Sequence, residues 1–157
     1  MGYVHIDSHA VTINTSGKTI SVEEVAKAFF LMEPPGWISM LFKIRNRIVG
    51  VFGLKTTDGD GAKQPSEFKL EVGQKIGFSK VYSKSANEVI FGEDDKHLNF
   101  RVSLFLDQQS PGENNIVIST AVQFNNWLGR LYFLPVRPFH ALIVKSMLRG
   151  VAKEISK

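Results

Sequence analysis

At 157 residues and 17.6 kDa, with 43% hydrophobic and 22% charged residues, the chain has the size and balance of one folded domain spanning 1–157. The absence of cysteine excludes disulfides, thiolate catalysis and Cys-ligated zinc, and it fits a cytoplasmic compartment. Nineteen basic and 15 acidic residues give a net charge of +4 without any run of Lys and Arg, so nucleic-acid binding is not expected.

Residues 3–14 are rich in β-branched side chains and lead into the turn Asn14-Thr15-Ser16-Gly17-Lys18, which predicts a first strand. The start, Met1-Gly2-Tyr3-Val4-His5-Ile6, has neither the basic region nor the apolar run of a signal peptide. Ser21 followed by Glu24 is a capping box, and Val22, Val25, Ala26, Phe29 and Met32 then recur at helical spacing. Pro34-Pro35-Gly36 ends this helix. A second helix follows, with Trp37, Leu41, Ile44, Ile48 and Val51 forming an apolar stripe. The apolar region Gly36–Leu54 is interrupted by Lys43, Arg45 and Arg47, so no transmembrane segment is expected.

Residues 55–67 carry no periodic apolar signal and read as a loop. Four strands are then predicted: Ile76–Ser83, Glu88–Gly92, Leu98–Asp107 and Asn115–Asn125. Leu98, Phe100, Val102, Leu104 and Leu106 alternate with polar residues, which implies a sheet with one buried face. A closing helix is expected from Pro138, suited to a first helical turn, with Phe139, Leu142, Ile143, Met147, Val151 and Ile155 turned inward.

A strand, two short helices, several antiparallel strands and a long final helix define an α+β helix-grip fold, a curved antiparallel sheet wrapped around the C-terminal helix. That order resembles the START-like superfamily of lipid-transfer domains, polyketide cyclases and pollen-allergen proteins. Asp95-Lys96-His97-Leu98-Asn99-Phe100-Arg101, Gly129-Arg130-Leu131-Tyr132-Phe133, and Pro138-Phe139-His140 with Met147-Leu148-Arg149 look like an uncharacterised bacterial family within it. The resemblance runs from about Tyr3 to Gly150. It implies a cavity between sheet and final helix that holds a lipid, a polyketide or another hydrophobic small molecule.

On this reading Phe91, Phe100, Val102 and Val122 form walls with Phe139, Ile143 and Met147 of the helix, and Tyr82, Thr120 and His140 orient the ligand. Twelve Phe residues suit a cavity or a thick core equally. Arg101 would grip an anionic head group through its planar fork, unless it lies with His97 on the solvated face of its strand. His140 could equally be a structural histidine bonded to a nearby carbonyl, and the tyrosines could be core residues with satisfied hydroxyls. His5, Asp7 and His9 alternate along the first strand; an edge strand showing polar side chains to water accounts for them, and no metal site, cofactor or catalytic residue is assigned.

Other fragments fail on spacing. Gly17-Lys18-Thr19 lacks the upstream glycine of a phosphate loop, Thr12 standing in its place. Asp58-Gly59-Asp60-Gly61 lacks the later calcium ligands, and Glu93-Asp94-Asp95 reads as a hairpin tip. The basic helix Trp37–Val51 would either cover the pocket mouth or touch an anionic membrane, without stable insertion. The expected function is therefore the binding or carrying of a hydrophobic small molecule. The alternatives are an enzyme of the cyclase or hydrolase kind, with His97 or His140 as general base and Arg101 stabilising negative charge, and a ligand-free interaction protein with a filled core.

Overall fold

The computed structural model describes residues 4–32, 35–51, 70–76 and 79–156. In chain order the elements are β1 (Val4–Asn14), α1 (Val22–Leu31), α2 (Gly36–Val51), β2 (Lys75–Ile76), β3 (Ser79–Lys84), β4 (Glu88–Asp94), β5 (Leu98–Ser110), β6 (Glu113–Phe124) and α3 (Trp127–Ile155). The predicted loop 55–67 lies outside the described residues.

The six strands form one antiparallel sheet in the order β1-β6-β5-β4-β3-β2, so the first strand of the chain pairs with the last. This is the α+β helix-grip architecture, a curved sheet with a long C-terminal helix. The strand predicted over Ile76–Ser83 is two strands: Ile76 sits opposite Ser79 in an antiparallel pair, so β2 is a separate short edge strand and β3 lies between it and β4. At the β5–β6 turn Gly112 has φ +85, a left-handed conformation that favours glycine, and a Cβ there would stand 2.7 Å from the Gly17 amide nitrogen.

Strand alternation divides the sheet into two faces. Val81, Val89, Leu104, Ile116 and Ile118, each at most 1% exposed, point inward. They pack against Val22, Val25 and Ala26 of α1 and against Val144, Leu148 and Val151 of α3. α1 starts as its sequence requires, since Ser21 and Glu24 form the capping box. A smaller apolar cluster, Val122, Phe124 and Phe133 with Leu98, Phe100 and Val136 against it, lies toward the start of α3.

Two helical faces differ from the sequence expectation. In α2 Ile38 is fully buried, while Met40 and, of the predicted apolar stripe, Trp37, Ile44 and Val51 are exposed; the Ile48 side chain lies outside the described residues. α3 begins at Trp127 rather than Pro138, because the Asn126 side chain caps it by accepting the Gly129 N–H at 3.0 Å. Pro135 and Pro138 fall inside the helix, where they cannot donate to the Leu131 and Leu134 carbonyls. With the helix rephased, its buried line runs through Gly129, Phe133, Val144, Leu148 and Val151, and Phe139 and Leu142 are 46% and 55% exposed.

Candidate functional site

β1 is an edge strand with one face under α3. His5, Asp7 and His9 share that face by period-two alternation, and the register places them opposite Val122, Thr120 and Ile118. Those three partners are buried, so the polar row points into the protein, and it is Ile6, Ser8 and Ala10 that face water. The expectation that this row meets solvent is thus reversed. Alternation shows which residues share a face, but not which face a helix covers.

α3 lays His140 over this row, between Phe133 and Val144 on its buried side. The His140 Nδ1 is 3.2 Å from Asp7 Oδ2, and His5 Nε2 is 3.3 Å from the same oxygen. The His5 ring packs against Phe133 at 5.0 Å between centroids, and Phe133 packs in turn against Phe124 at 5.5 Å. One carboxylate therefore serves two imidazoles, beside an aromatic wall.

Burial pushes the His140 pKa below its ordinary 6.5, opposed by the charge and hydrogen bond of Asp7 and reinforced by His5 and His9. The neutral ring then donates its Nδ1 proton to Asp7 and keeps Nε2 as an acceptor.

Three buried side-chain atoms lack a hydrogen-bond partner among the described residues: Asp7 Oδ1, His9 Nε2 and Thr120 Oγ1. They fall on one small patch, since Asp7 and Thr120 are cross-strand partners and His9 is the next inward residue on β1. Leaving such a group unpaired costs about 1–3 kcal/mol. A patch of this kind is a ready set of contacts for a polar group on a guest.

The other sequence-predicted residues scatter. Thr120 and His140 meet around Asp7, and Phe100 stands opposite Val122 in the adjoining apolar cluster. Phe91 lies farther off, against Phe29 and Phe30 of α1 at 5.8 and 4.8 Å between centroids. Ile143 and Met147 are half-buried and flank the inward line of α3. Tyr82 and Arg101 are brought together, but on the outer face: Phe100 and Val102 point inward, so Arg101 cannot. Its guanidinium lies 3.7 Å from the centre of the Tyr82 ring and bonds Asp94 at 2.9 Å. Tyr82 is the extra residue where the β3–β4 register shifts between Val81 and Ser83.

His97 is tied to the start of α3, with Nδ1 against the Asn126 side chain and its carbonyl accepting the Asn125 N–H at 2.9 Å. Among the described residues no group of three or more His, Cys, Asp and Glu is arranged to hold a metal ion. Clefts open on the surface among the described residues. One of about 420 Å³ is lined by Trp37, Leu142, Lys145, Ser146 and Arg149. Another of about 450 Å³ lies between the start of α1 and the β3–β4 turn. Neither runs between the inner sheet face and α3.

The sequence profile of a family described as a protein of unknown function (DUF2867) matches residues 1–147. No curated protein matches the chain. Among solved structures, the Mll3558 protein from Rhizobium loti superposes with a TM-score of 0.51 at 12% identity, covering 98% of this chain and 99% of that one. Norcoclaurine synthase from Thalictrum flavum, in complex with dopamine and hydroxybenzaldehyde, gives 0.50 at 11% identity, covering 98% and 87%. These likenesses show the helix-grip fold alone.

Proposed function

The chain belongs to the DUF2867 family of proteins of unknown function, and from that premise we propose that it binds a small, largely apolar molecule bearing one hydrogen-bonding group. The polar group sits at Asp7, His9 and Thr120, with His140 above it. The apolar remainder lies against Val122, Phe124, Phe133 and Phe100. The observation that carries this reading is the patch of three buried polar atoms, without partners among the described residues, beside the smaller apolar cluster.

A guest hydroxyl would donate to Asp7 Oδ1 and accept from the Thr120 hydroxyl, which satisfies two of the three atoms at once. Room for its apolar body comes from the first half of α3 moving off the sheet. That half is held by the smaller cluster, and two prolines interrupt its hydrogen-bond ladder.

The test is native mass spectrometry of protein purified without detergent, followed by solvent extraction and by titration with the neutral fluorophore N-phenylnaphthylamine. Expected is a retained apolar compound, or saturable probe binding that weakens at least about tenfold in a Thr120→Val, Asp7→Asn double variant, the scale of one or two lost buried hydrogen bonds. An empty protein with no saturable probe binding would refute the reading.

The Asp7–His140 bond favours a second reading, in which His140 takes a proton from the bound molecule. A carboxylate on Nδ1 fixes the tautomer and leaves Nε2 basic. This version requires turnover that drops at least about 100-fold in His140→Gln while guest binding persists.

A further inference from the structure

Of the eleven large hydrophobic side chains exposed among the described residues, nine lie on α2 and α3. On α3 the residues Trp127, Leu131, Leu134 and Leu142, then Lys145 and Arg149, are spaced so that they form one line turned away from the sheet. Trp37 of α2 joins its basic end, where it shares a cleft with Leu142, Lys145 and Arg149.

Charge is distributed just as unevenly. α2 carries Lys43, Arg45 and Arg47 and no acidic residue, while α3 carries five basic residues against Glu154 alone. With eight basic residues and one acidic, the two helices hold a net +7 in a chain whose total is +4. Everything else is therefore net −3.

We propose that the outer face of α2 and α3 docks on the surface of an anionic lipid bilayer. The line on α3 enters the boundary between head groups and acyl chains with Trp127, Leu131 and Leu134, and Lys145 and Arg149 meet lipid phosphates. No described helix is long and apolar enough to cross a membrane, so the contact is peripheral. The proposal is independent of the interior site.

Charge decides among the possible occupants of this face. A second copy of the chain would bring another strongly positive face against it, which repels. A nucleic acid would satisfy the charge but gives Leu131, Leu134, Leu142, Met40 and Ile44 no apolar medium to enter. An anionic bilayer answers both features.

The test is co-sedimentation with vesicles of phosphatidylcholine and with vesicles of equimolar phosphatidylcholine and phosphatidylserine, at low and at physiological salt. Selective, salt-sensitive binding to the anionic vesicles is expected. Lys145→Gln with Arg149→Gln should weaken partitioning about 30-fold. Leu131→Ser with Leu134→Ser should weaken it at least about tenfold through lost apolar insertion. All four positions are exposed, and circular dichroism verifies that each variant folds. Equal or absent binding to the two vesicles overturns the proposal. So does sensitivity to the charge variant without the leucine variant, which is adsorption to any polyanion, and so does a concentration-dependent dimer abolished by Leu131→Ser.

Discussion

Asp7 on the first strand and His140 on the last helix, 133 residues apart in sequence, share a 3.2 Å hydrogen bond under the roof of α3. The bond joins the two ends of the fold. Burial holds the His140 pKa below 6.5, with His5 and His9 acting in the same sense and Asp7 against. As pH falls through 6.5 the unfolded chain binds a proton at this residue before the folded protein does, so the folded state loses stability. Stability is full above that pH and declines until the folded pKa is passed. Urea midpoints measured across the window should fall with pH in the native protein, and His140→Gln should flatten the decline. Identical pH profiles for the two proteins would contradict it.

Thr120 is 3% exposed and its hydroxyl has no partner among the described residues. Replacing it with valine, similar in shape and with nothing to satisfy, should stabilise the empty protein by about 1 kcal/mol. That corresponds to a thermal midpoint higher by roughly 2–4 °C for a chain of this size. The same change should weaken guest binding. A variant that is less stable than the native protein would show that the hydroxyl already has a partner.

Arg101 and Tyr82 stack on the outer face of the sheet, and the Arg101 side chain is 36% exposed. Removing an arginine–aromatic contact at such a site costs about 0.5–1 kcal/mol. Arg101→Ala should therefore shift stability slightly and leave probe binding unchanged. Binding that collapses in this variant would return Arg101 to the ligand, against the strand parity that Phe100 and Val102 define.

Much of the fold was legible because its signals are local. The Ser21–Glu24 capping box and the alternation from Leu98 to Leu106 each fix structure within a few residues of themselves. The polar site was only half legible. Thr120 and His140 stand out as polar groups on apolar elements, but the row His5, Asp7, His9 reads in the sequence as an edge strand turned to water, which is the wrong face. Only pairing with β6 and cover by α3 decide that, and both depend on residues more than a hundred positions away. The α3 stripe was misphased for a different reason. Proline at 138 signals a helix start by itself and masks an earlier local signal, Asn126, whose side chain caps α3 at Gly129 where it meets His97.

That contact gives the sharpest test of the helix start. Gly129 lies so close to the His97 carbonyl that an added Cβ would run into its oxygen and carbon, backbone atoms that no rotamer change can move aside. The same region is fastened by the Asn125 N–H on the His97 carbonyl and by Asn126, which caps α3 and touches the His97 ring. Alanine at an open helical position would gain about 1 kcal/mol over glycine. Here the gain is outweighed, because α3 must shift off the β4–β5 turn and disturb Phe133 and Phe124 behind it, at a cost of about 1–3 kcal/mol for overpacking. Gly129→Ala should therefore lower the urea midpoint, whereas Gly36→Ala, where nothing among the described residues lies within 4 Å of the added carbon, should not. If Gly129→Ala is as stable as the native protein, α3 does not begin against His97.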